Sequence, residues 1–171
     1  MDLAETKELL KTYLQQSAVE LFGDIGAQFD IAQASDWTPD VTSIVGIAGS
    51  GIAGSVALST SSRCLVELAQ LGNASIPEDW LGELSNQLVG RFKRRLVPHG
   101  ASFGLGTPVV LTGEHLRLAA RSIGGSLLTL WLDSKIGRAV VWVDIEFRDG
   151  FELTAQTKDD GTLIEGEALL F

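Results

Sequence analysis

The first stretch of the chain alternates apolar and polar positions with a helical period. Between residues 3 and 22, apolar side chains recur at spacings of three, four and seven: Leu3, Leu10, Leu14, Ala18, Leu21 and Phe22. Charged side chains occupy the positions between them, which predicts an amphipathic helix with these apolar residues on its buried face. Gly23 is expected to end this helix.

The pattern then changes to the two-residue period of strands. Residues 41–47 follow a turn signal at Trp37-Thr38-Pro39-Asp40 and are rich in β-branched side chains, and residues 53–58 alternate in the same way. Ser50-Gly51 between them is a plausible tight turn, so a hairpin is expected. A short helix should follow, capped within residues 60–62 and closed by Gly72.

A long helix is predicted next, beginning at Ser75 or Pro77 and ending near Leu96, before Pro98 and Gly100. Acidic side chains near its start and basic ones near its end suit the helix dipole. The remaining chain has strand character at 108–111, 116–120, 126–132, 139–147 and, more weakly, 151–156. Because these strands run consecutively instead of alternating with helices, the fold class is α+β, an antiparallel sheet packed by helices.

Composition limits the classes of function. The chain has 171 residues, 45% of them hydrophobic, and a formal net charge of −9, so residues 1–171 are expected to form a single domain with a sizeable core. An acidic surface repels phosphates, which argues against nucleic acid and anionic membranes as partners. The expected partners are proteins or cations.

Cysteine usage and hydropathy indicate a cytoplasmic protein. Cys64 is the one cysteine, so no internal disulfide can form and no cysteine cluster can bind zinc. No apolar run approaches the length of a membrane span, and the N-terminal residues lack the pattern of a secretory signal. No metal site of its own is expected.

Two glycine motifs match known fingerprints but stand in the wrong context. Residues 49–54 read G-x-G-x-x-G, yet the following residues alternate like a strand, whereas a dinucleotide site needs a helix there. We therefore predict hairpin glycines.

Residues 100–104 read G-x-S-x-G. Here Ser102 follows a helix and precedes a strand, the reverse of a nucleophile elbow. A loop serine is expected instead. His99 and His115 are expected to lie at the surface.

One group of polar residues on the long helix stands apart from these motifs. At about 100° per residue, Asp79, Asn86 and Gly90 fall within about 60° of Glu83, while the leucines and Phe92 fall on the opposite side. The apolar face should bind the sheet, so these four residues should face outward together. A mid-helix glycine costs about 1 kcal/mol relative to alanine, which makes sense if a partner must approach the backbone there.

The spacing of these residues is more specific than their placement. The sequence Asp79-x-x-x-Glu83-x-x-Asn86, with Pro108 after 21 intervening residues, resembles the D/S-x3-E-x2-N-x21/22-P signature of the CheC/CheX/FliY chemotaxis phosphatases. At average residue usage a chance match has a probability of roughly two in a thousand. The chain has a single E-x-x-N motif, and in this it resembles single-site CheX more than two-site CheC. The likeness extends over roughly residues 3 to 147.

The resemblance implies an enzyme that hydrolyses the phosphoaspartate of a phosphorylated CheY-type response regulator. Such a regulator carries its own Mg²⁺ and lysine, so the phosphatase needs no cofactor of its own. Asn86 would orient the attacking water through its neutral amide, and Glu83 would bind the regulator's lysine. Asp79 either extends that contact or stabilises the helix start, Gly90 admits the partner, and Pro108 supports the site.

Two further implications of the resemblance remain open. CheX members are homodimers, so a homodimer is implied, although no residue pattern here demonstrates one. The alternative to an enzyme is a non-catalytic CheX-like module that binds response regulators or acts as an adapter. Retention of both Glu83 and Asn86 favours the enzyme. The tail from residue 148 to 171 resembles nothing that assigns it a role.

Overall fold

The computed structural model describes residues 2–114, 116, 126–148 and 150–155. Within them the helices are α1 Leu3–Asp24, α2 Ser62–Leu71 and α3 Pro77–Leu96, with a short 3-10 turn at Val97–His99. The strands are β1 Asp30–Ala32, β2 Val41–Gly49, β3 Ile52–Thr60, β4 Phe103–Leu105, β5 Val109–Thr112, β6 Ser126–Ser134 and β7 Gly137–Phe147. No helix in this part of the chain is long and apolar enough to cross a membrane.

The strands form one seven-stranded sheet in the order β1-β6-β7-β3-β2-β4, with β5 pairing the same edge of β2 as β4 does. Every pairing is antiparallel, which confirms the predicted α+β class. The β2–β3 hairpin runs from the Val41–Thr60 pair to the Ala48–Ala53 pair. Ser50 and Gly51 form its turn, as the sequence indicates.

Helix α1 forms as its periodicity predicts, with one exception on its apolar face. An Asp2–Glu5 capping box closes the N-terminus, which satisfies backbone N–H groups that a helix start otherwise leaves unpaired. Five of the six predicted core residues are buried: Leu10, Leu14, Ala18, Leu21 and Phe22. Leu3 is 63% exposed; it lies in the first turn, where no element of the described part of the chain covers it.

The strand predictions need three amendments. Strands β1 and β4 have three residues each, too few to produce an alternation that sequence reading can detect. Residues 151–155 do not form the strand expected at 151–156, since backbone N–H groups there bond to Arg148 and His99 carbonyls instead of to a strand. The strand expected at 116–120 lies, apart from residue 116, outside the described residues.

The core joins all three helices to one face of the sheet. Leu81, Leu84, Leu88, Val89, Phe92 and Leu96 of α3 are fully buried against strand residues such as Val45, Val56 and Val143. Each such side chain contributes about 1.5–3 kcal/mol through removal of apolar surface from water. This packing fixes the rotation of α3, and therefore determines which of its residues face outward.

Candidate functional site

Helix α3 carries the candidate site, and its two ends are defined by sequence. Pro77 occupies the first turn, where its missing N–H costs nothing. Glu78 and Asp79 lie in the first turn, and three basic residues lie in the last turn. Both groups have the sign that stabilises the helix dipole, so the helix forms where predicted and starts at Pro77.

The outward face of α3 bears the residues that the signature singles out. Glu83 and Asp79 are exposed, and Asn86 and Gly90 are partly exposed. A shallow open depression of about 430 Å³ lies on this face. Its lining residues are Glu83, Asn86, Gln87, Gly90, Arg91 and Arg94. The structure thus brings Glu83, Asn86 and Gly90 together on one accessible surface, with Asp79 one turn before Glu83 on the same helix.

The two polar side chains at the centre differ in their hydrogen bonding. Gln87 Nε2 donates to Glu83 Oε1 at 2.9 Å, which holds the carboxylate in place and leaves its other oxygen available. Among the described residues, none hydrogen-bonds the amide of Asn86. An amide that both donates and accepts is therefore available to a water molecule or partner at this surface.

Gly90 and Asp79 have simpler surroundings. A Cβ added at Gly90 would meet no atom within 4 Å, so nothing inside the described molecule requires glycine there. Asp79 makes no hydrogen bond or ion pair with any described residue, and its position in the first turn is compatible with both roles left open for it. The packing around α3 therefore gives no reason for the glycine, whose cost to the helix is about 1 kcal/mol.

Pro108 packs against α3 beside the depression and is not one of its lining residues. A Cβ built at Gly82 would be 3.5 Å from the Pro108 Cβ and 3.8 Å from Val110 Cγ2, so proline packs against the helix next to Glu83. Strand β5, which begins at Val109, pairs with β2 at the sheet edge. Pro108 thus contacts the site-bearing helix at Gly82, one turn before Asn86, and does not line the depression.

Contacts with the two other helices hold α3 in position. Arg91 donates to Asp24 Oδ2 at 2.6 Å, and Arg95 pairs with Glu20; both acids belong to α1. On the other side, Trp80 Nε1 donates to the Leu68 carbonyl of α2 at 3.0 Å. The depression therefore lies on a helix that is fixed from both sides.

The first glycine motif serves packing in the hairpin, as expected. A Cβ at Gly49 would lie 2.0 Å from the Ser102 carbonyl oxygen, and one at Gly51 would lie 2.1 Å from the Phe151 ring. Strand β3 continues through the third glycine, Gly54. No helix starts there to receive a pyrophosphate, so the dinucleotide interpretation is excluded by context.

The G-x-S-x-G motif at residues 100–104 does not form a nucleophile elbow. Ser102 is exposed in the connection between the 3-10 turn and β4, and nothing in this connection resembles the strand-to-helix elbow of hydrolases. His115 lies outside the described residues.

The prediction that His99 lies at the surface is wrong, because His99 is 4% exposed. Its Nδ1 donates to the Thr154 carbonyl oxygen at 2.7 Å. In the neutral ring, Nε2 then accepts from the Tyr13 hydroxyl at 2.8 Å. Thr154 and Tyr13 lie 55 and 86 residues away from His99 along the chain. No local pattern could therefore have indicated the burial of His99.

Other candidate sites are weaker. In the described part of the chain, no three His, Cys, Asp or Glu side chains are grouped in a way that could hold a metal ion. Cys64 is buried, and desolvation raises its pKa, which makes it a poor nucleophile. A larger cavity of about 750 Å³ lies between the α1–β1 loop and the β6–β7 turn, but no residue of α3 lines it.

Three residues of the depression lie outside the site residues predicted from sequence: Gln87, Arg91 and Arg94. Gln87 lies four residues after Glu83, a spacing that allows side chains to meet on a helix, and this spacing could have indicated it. Arg94 lies eight residues after Asn86 on the same face. By sequence Arg94 belongs to the basic end of the helix, and its difference from the other cations there depends on tertiary contacts.

The fold and this face together define a class of protein: an antiparallel sheet bearing a long helix with an outward acid and amide three residues apart. The CheX family, described as chemotaxis phosphatase CheX, matches residues 41–128. This chain belongs to the CheX family. No curated protein sequence matches it at a significant level.

Solved structures share the fold at low sequence identity. A CheX chemotaxis protein from Vibrio vulnificus has a TM-score of 0.72 at 23% identity, covering 80% of this chain and 96% of that one. A CheC-like protein from Shewanella sp. PV-4 has a TM-score of 0.68 at 20% identity, with coverage of 85% and 99%. The CheX–CheY–BeF3–Mg²⁺ complex from Borrelia burgdorferi gives 0.62 at 19%, with 81% and 97%. At these identities the likeness establishes the fold.

Proposed function

We propose that this chain dephosphorylates the phosphoaspartate of a CheY-type response regulator, with Asn86 orienting the attacking water and Glu83 binding the regulator's lysine. The observation that carries the proposal is the placement, on one accessible face of α3, of a held carboxylate and an amide that no described residue hydrogen-bonds. Membership of a chemotaxis phosphatase family and the fold shared with a CheX protein solved in complex with CheY support it.

Hydrolysis of the phosphoaspartate requires little covalent chemistry from the phosphatase. Water must attack phosphorus in line with the departing carboxylate, and catalysis is mainly positioning and charge stabilisation. The amide of Asn86 accepts a hydrogen bond from the water through Oδ1 and places no further negative charge beside the phosphoryl oxygens. An aspartate at this position would repel them.

Glu83 contributes orientation. Its carboxylate is held by Gln87 Nε2 at 2.9 Å, and the second oxygen can accept from a lysine ammonium group, a contact that is stronger than a neutral hydrogen bond. Because Asn86 follows about 4.5 Å further along the helix axis, binding at Glu83 fixes where the amide lies. Mg²⁺ would arrive with the regulator, as the composition of the Borrelia complex suggests.

The decisive experiment measures phosphate release from CheY-type regulators phosphorylated with acetyl phosphate, with wild-type chain and Asn86→Ala side by side. We expect Asn86→Ala to lower kcat by at least about a hundredfold, since water positioning is lost. Binding to the beryllium-fluoride-activated regulator should remain. Asn73→Gly is the matched control, since Asn73 is the other of the chain's two asparagines and its φ of 53° suits glycine.

Each outcome separates enzyme from binding module. Equal rates for wild type and Asn86→Ala would contradict the role of Asn86. Binding of the activated regulator without any acceleration by the wild-type chain would favour the non-catalytic module.

A further inference from the structure

Arg94 differs from the other basic residues at the end of α3. Arg91 and Arg95 pair with Asp24 and Glu20 of α1, and Lys93 Nζ lies 5.7 Å from the Phe103 ring centroid. Arg94 is exposed and makes no ion pair or hydrogen bond with any residue that the structure describes. Its guanidinium group is therefore available to a partner.

Arg94 also lines the depression that contains Glu83 and Asn86. It follows Glu83 by 11 residues, which is about 16 Å along the helix axis. Gly90 lies between them and projects no side chain into the surface. The depression thus has an acidic end and a cationic end, separated by a stretch of accessible backbone.

This distribution of charge opposes that of the whole chain. A net charge of −9 repels an acidic partner at long range, so a local cation must supply attraction if such a partner is to bind. The carboxylates of α1 largely offset the charge of Arg91 and Arg95. Arg91 also lines the depression but is held by Asp24, so Arg94 is the lining cation without a partner among the described residues.

We propose that Arg94 binds a surface carboxylate of the phosphorylated receiver domain and thereby fixes the direction in which that domain docks along α3. The inference rests on the proposed function and extends it from chemistry to recognition. Glu83 receives the partner's cation and Arg94 its acid, so the reversed orientation would set like charges against each other at both ends. A guanidinium group can bind a carboxylate through two parallel hydrogen bonds, which also constrains angle.

The test compares Arg94→Gln, Arg94→Lys and the control Arg63→Gln, using the regulator that the wild-type chain dephosphorylates fastest. Arg63 is exposed on α2 and outside the depression, so its variant makes the same change in net charge. We expect Arg94→Gln to raise KM roughly fivefold with kcat within about twofold, Arg94→Lys to recover part of the loss, and Arg63→Gln to match wild type.

Ionic strength provides a second measurement. Raising salt from about 50 to 300 mM should reduce the ratio of the Arg94→Gln KM to the wild-type KM, because screening weakens a contact that the variant lacks, whereas the overall repulsion and the Glu83 contact are screened alike in both proteins. A KM and salt dependence equal to wild type in Arg94→Gln would overturn the proposal, as would an equal effect of Arg63→Gln.

Binding of the beryllium-fluoride-activated regulator, measured in parallel, keeps the two proposals separable. If the chain binds the regulator without hydrolysis, the catalytic proposal fails, and the affinity of Arg94→Gln still decides the role of Arg94. If the chain neither binds nor dephosphorylates any CheY-type regulator, both proposals are overturned.

Discussion

Pro108 packs directly against α3 at Gly82, where a methyl group added to the glycine would lie 3.5 Å from the Pro108 Cβ. This contact gives the long spacing between Asn86 and Pro108 a physical meaning. After α3 the chain turns through residues 97–99 and forms β4. It then returns to α3 at Gly82, the residue before Glu83. The proline at the end of the sequence motif therefore supports the helix that displays the rest of it.

Replacing Gly90 by alanine should stabilise the protein and impair docking. The new methyl group meets no atom within 4 Å, so the unfolding free energy should rise by about 1 kcal/mol from helix propensity. If the partner approaches the backbone there, KM for the regulator should rise. Urea denaturation and steady-state kinetics measure the two effects.

Gly82→Ala is the matched control for Gly90→Ala. Its methyl group would face Pro108 at an ordinary contact distance, so it should gain similar stability without a change in KM. An unchanged KM in Gly90→Ala would show that the partner does not approach the backbone at Gly90.

Glu83 and Gln87 should differ sharply in their effects, although they are bonded to each other. Glu83→Ala removes the charged contact proposed with the regulator and should raise KM about tenfold or more, with a lower rate. Gln87→Ala removes only a helix-surface hydrogen bond, worth about 0.2–0.5 kcal/mol, and should change KM about twofold. A large loss of kcat in Gln87→Ala would mean that Gln87 itself contacts the reacting groups.

Tyr13→Phe should destabilise the protein without altering catalysis. The hydroxyl bonds the buried His99 ring, and its loss leaves Nε2 unpaired, at a cost of about 1–3 kcal/mol. The midpoint of urea unfolding should fall while kcat stays at the wild-type value. An unchanged midpoint would indicate that water replaces the hydroxyl.

The buried thiol of Cys64 should lower the free energy of unfolding at high pH. Burial raises the pKa of the Cys64 thiol in the folded chain, so between the unfolded and folded pKa values the native state holds a proton that the unfolded state has lost. The contribution of Cys64 to the free energy of unfolding is therefore fully present below about pH 8.5, the unfolded-state pKa. It declines as the pH rises above that value.

The Cys64 contribution can be isolated by comparison with Cys64→Ala between pH 8 and 10. The wild type should lose more unfolding free energy over this range than the variant does. Parallel curves for the two proteins would contradict the prediction. Cys64→Ala is preferred to larger replacements because Cys64 packs closely against Gly137.

The sequence by itself determined the three helices, the longer strands and the direction in which α3 faces. Six apolar residues of α3 recur with a helical period and all are buried, because removing them from water dominates the orientation of a helix on a sheet. Once that face is fixed, Glu83 and Asn86 must face outward. Runs of consecutive strands likewise sufficed for the antiparallel α+β class, since parallel strands need crossover helices.

Tertiary structure alone decided what surrounds these residues. The burial of His99 depends on Tyr13 and Thr154, and the availability of Arg94 depends on α1 pairing with Arg91 and Arg95 but not with it. Local patterns cannot reveal contacts between residues that are distant in sequence, because such contacts arise only when whole elements pack. The helix and its face therefore follow from periodicity, while the shape and charge of the depression follow from how α1, the sheet and α3 meet.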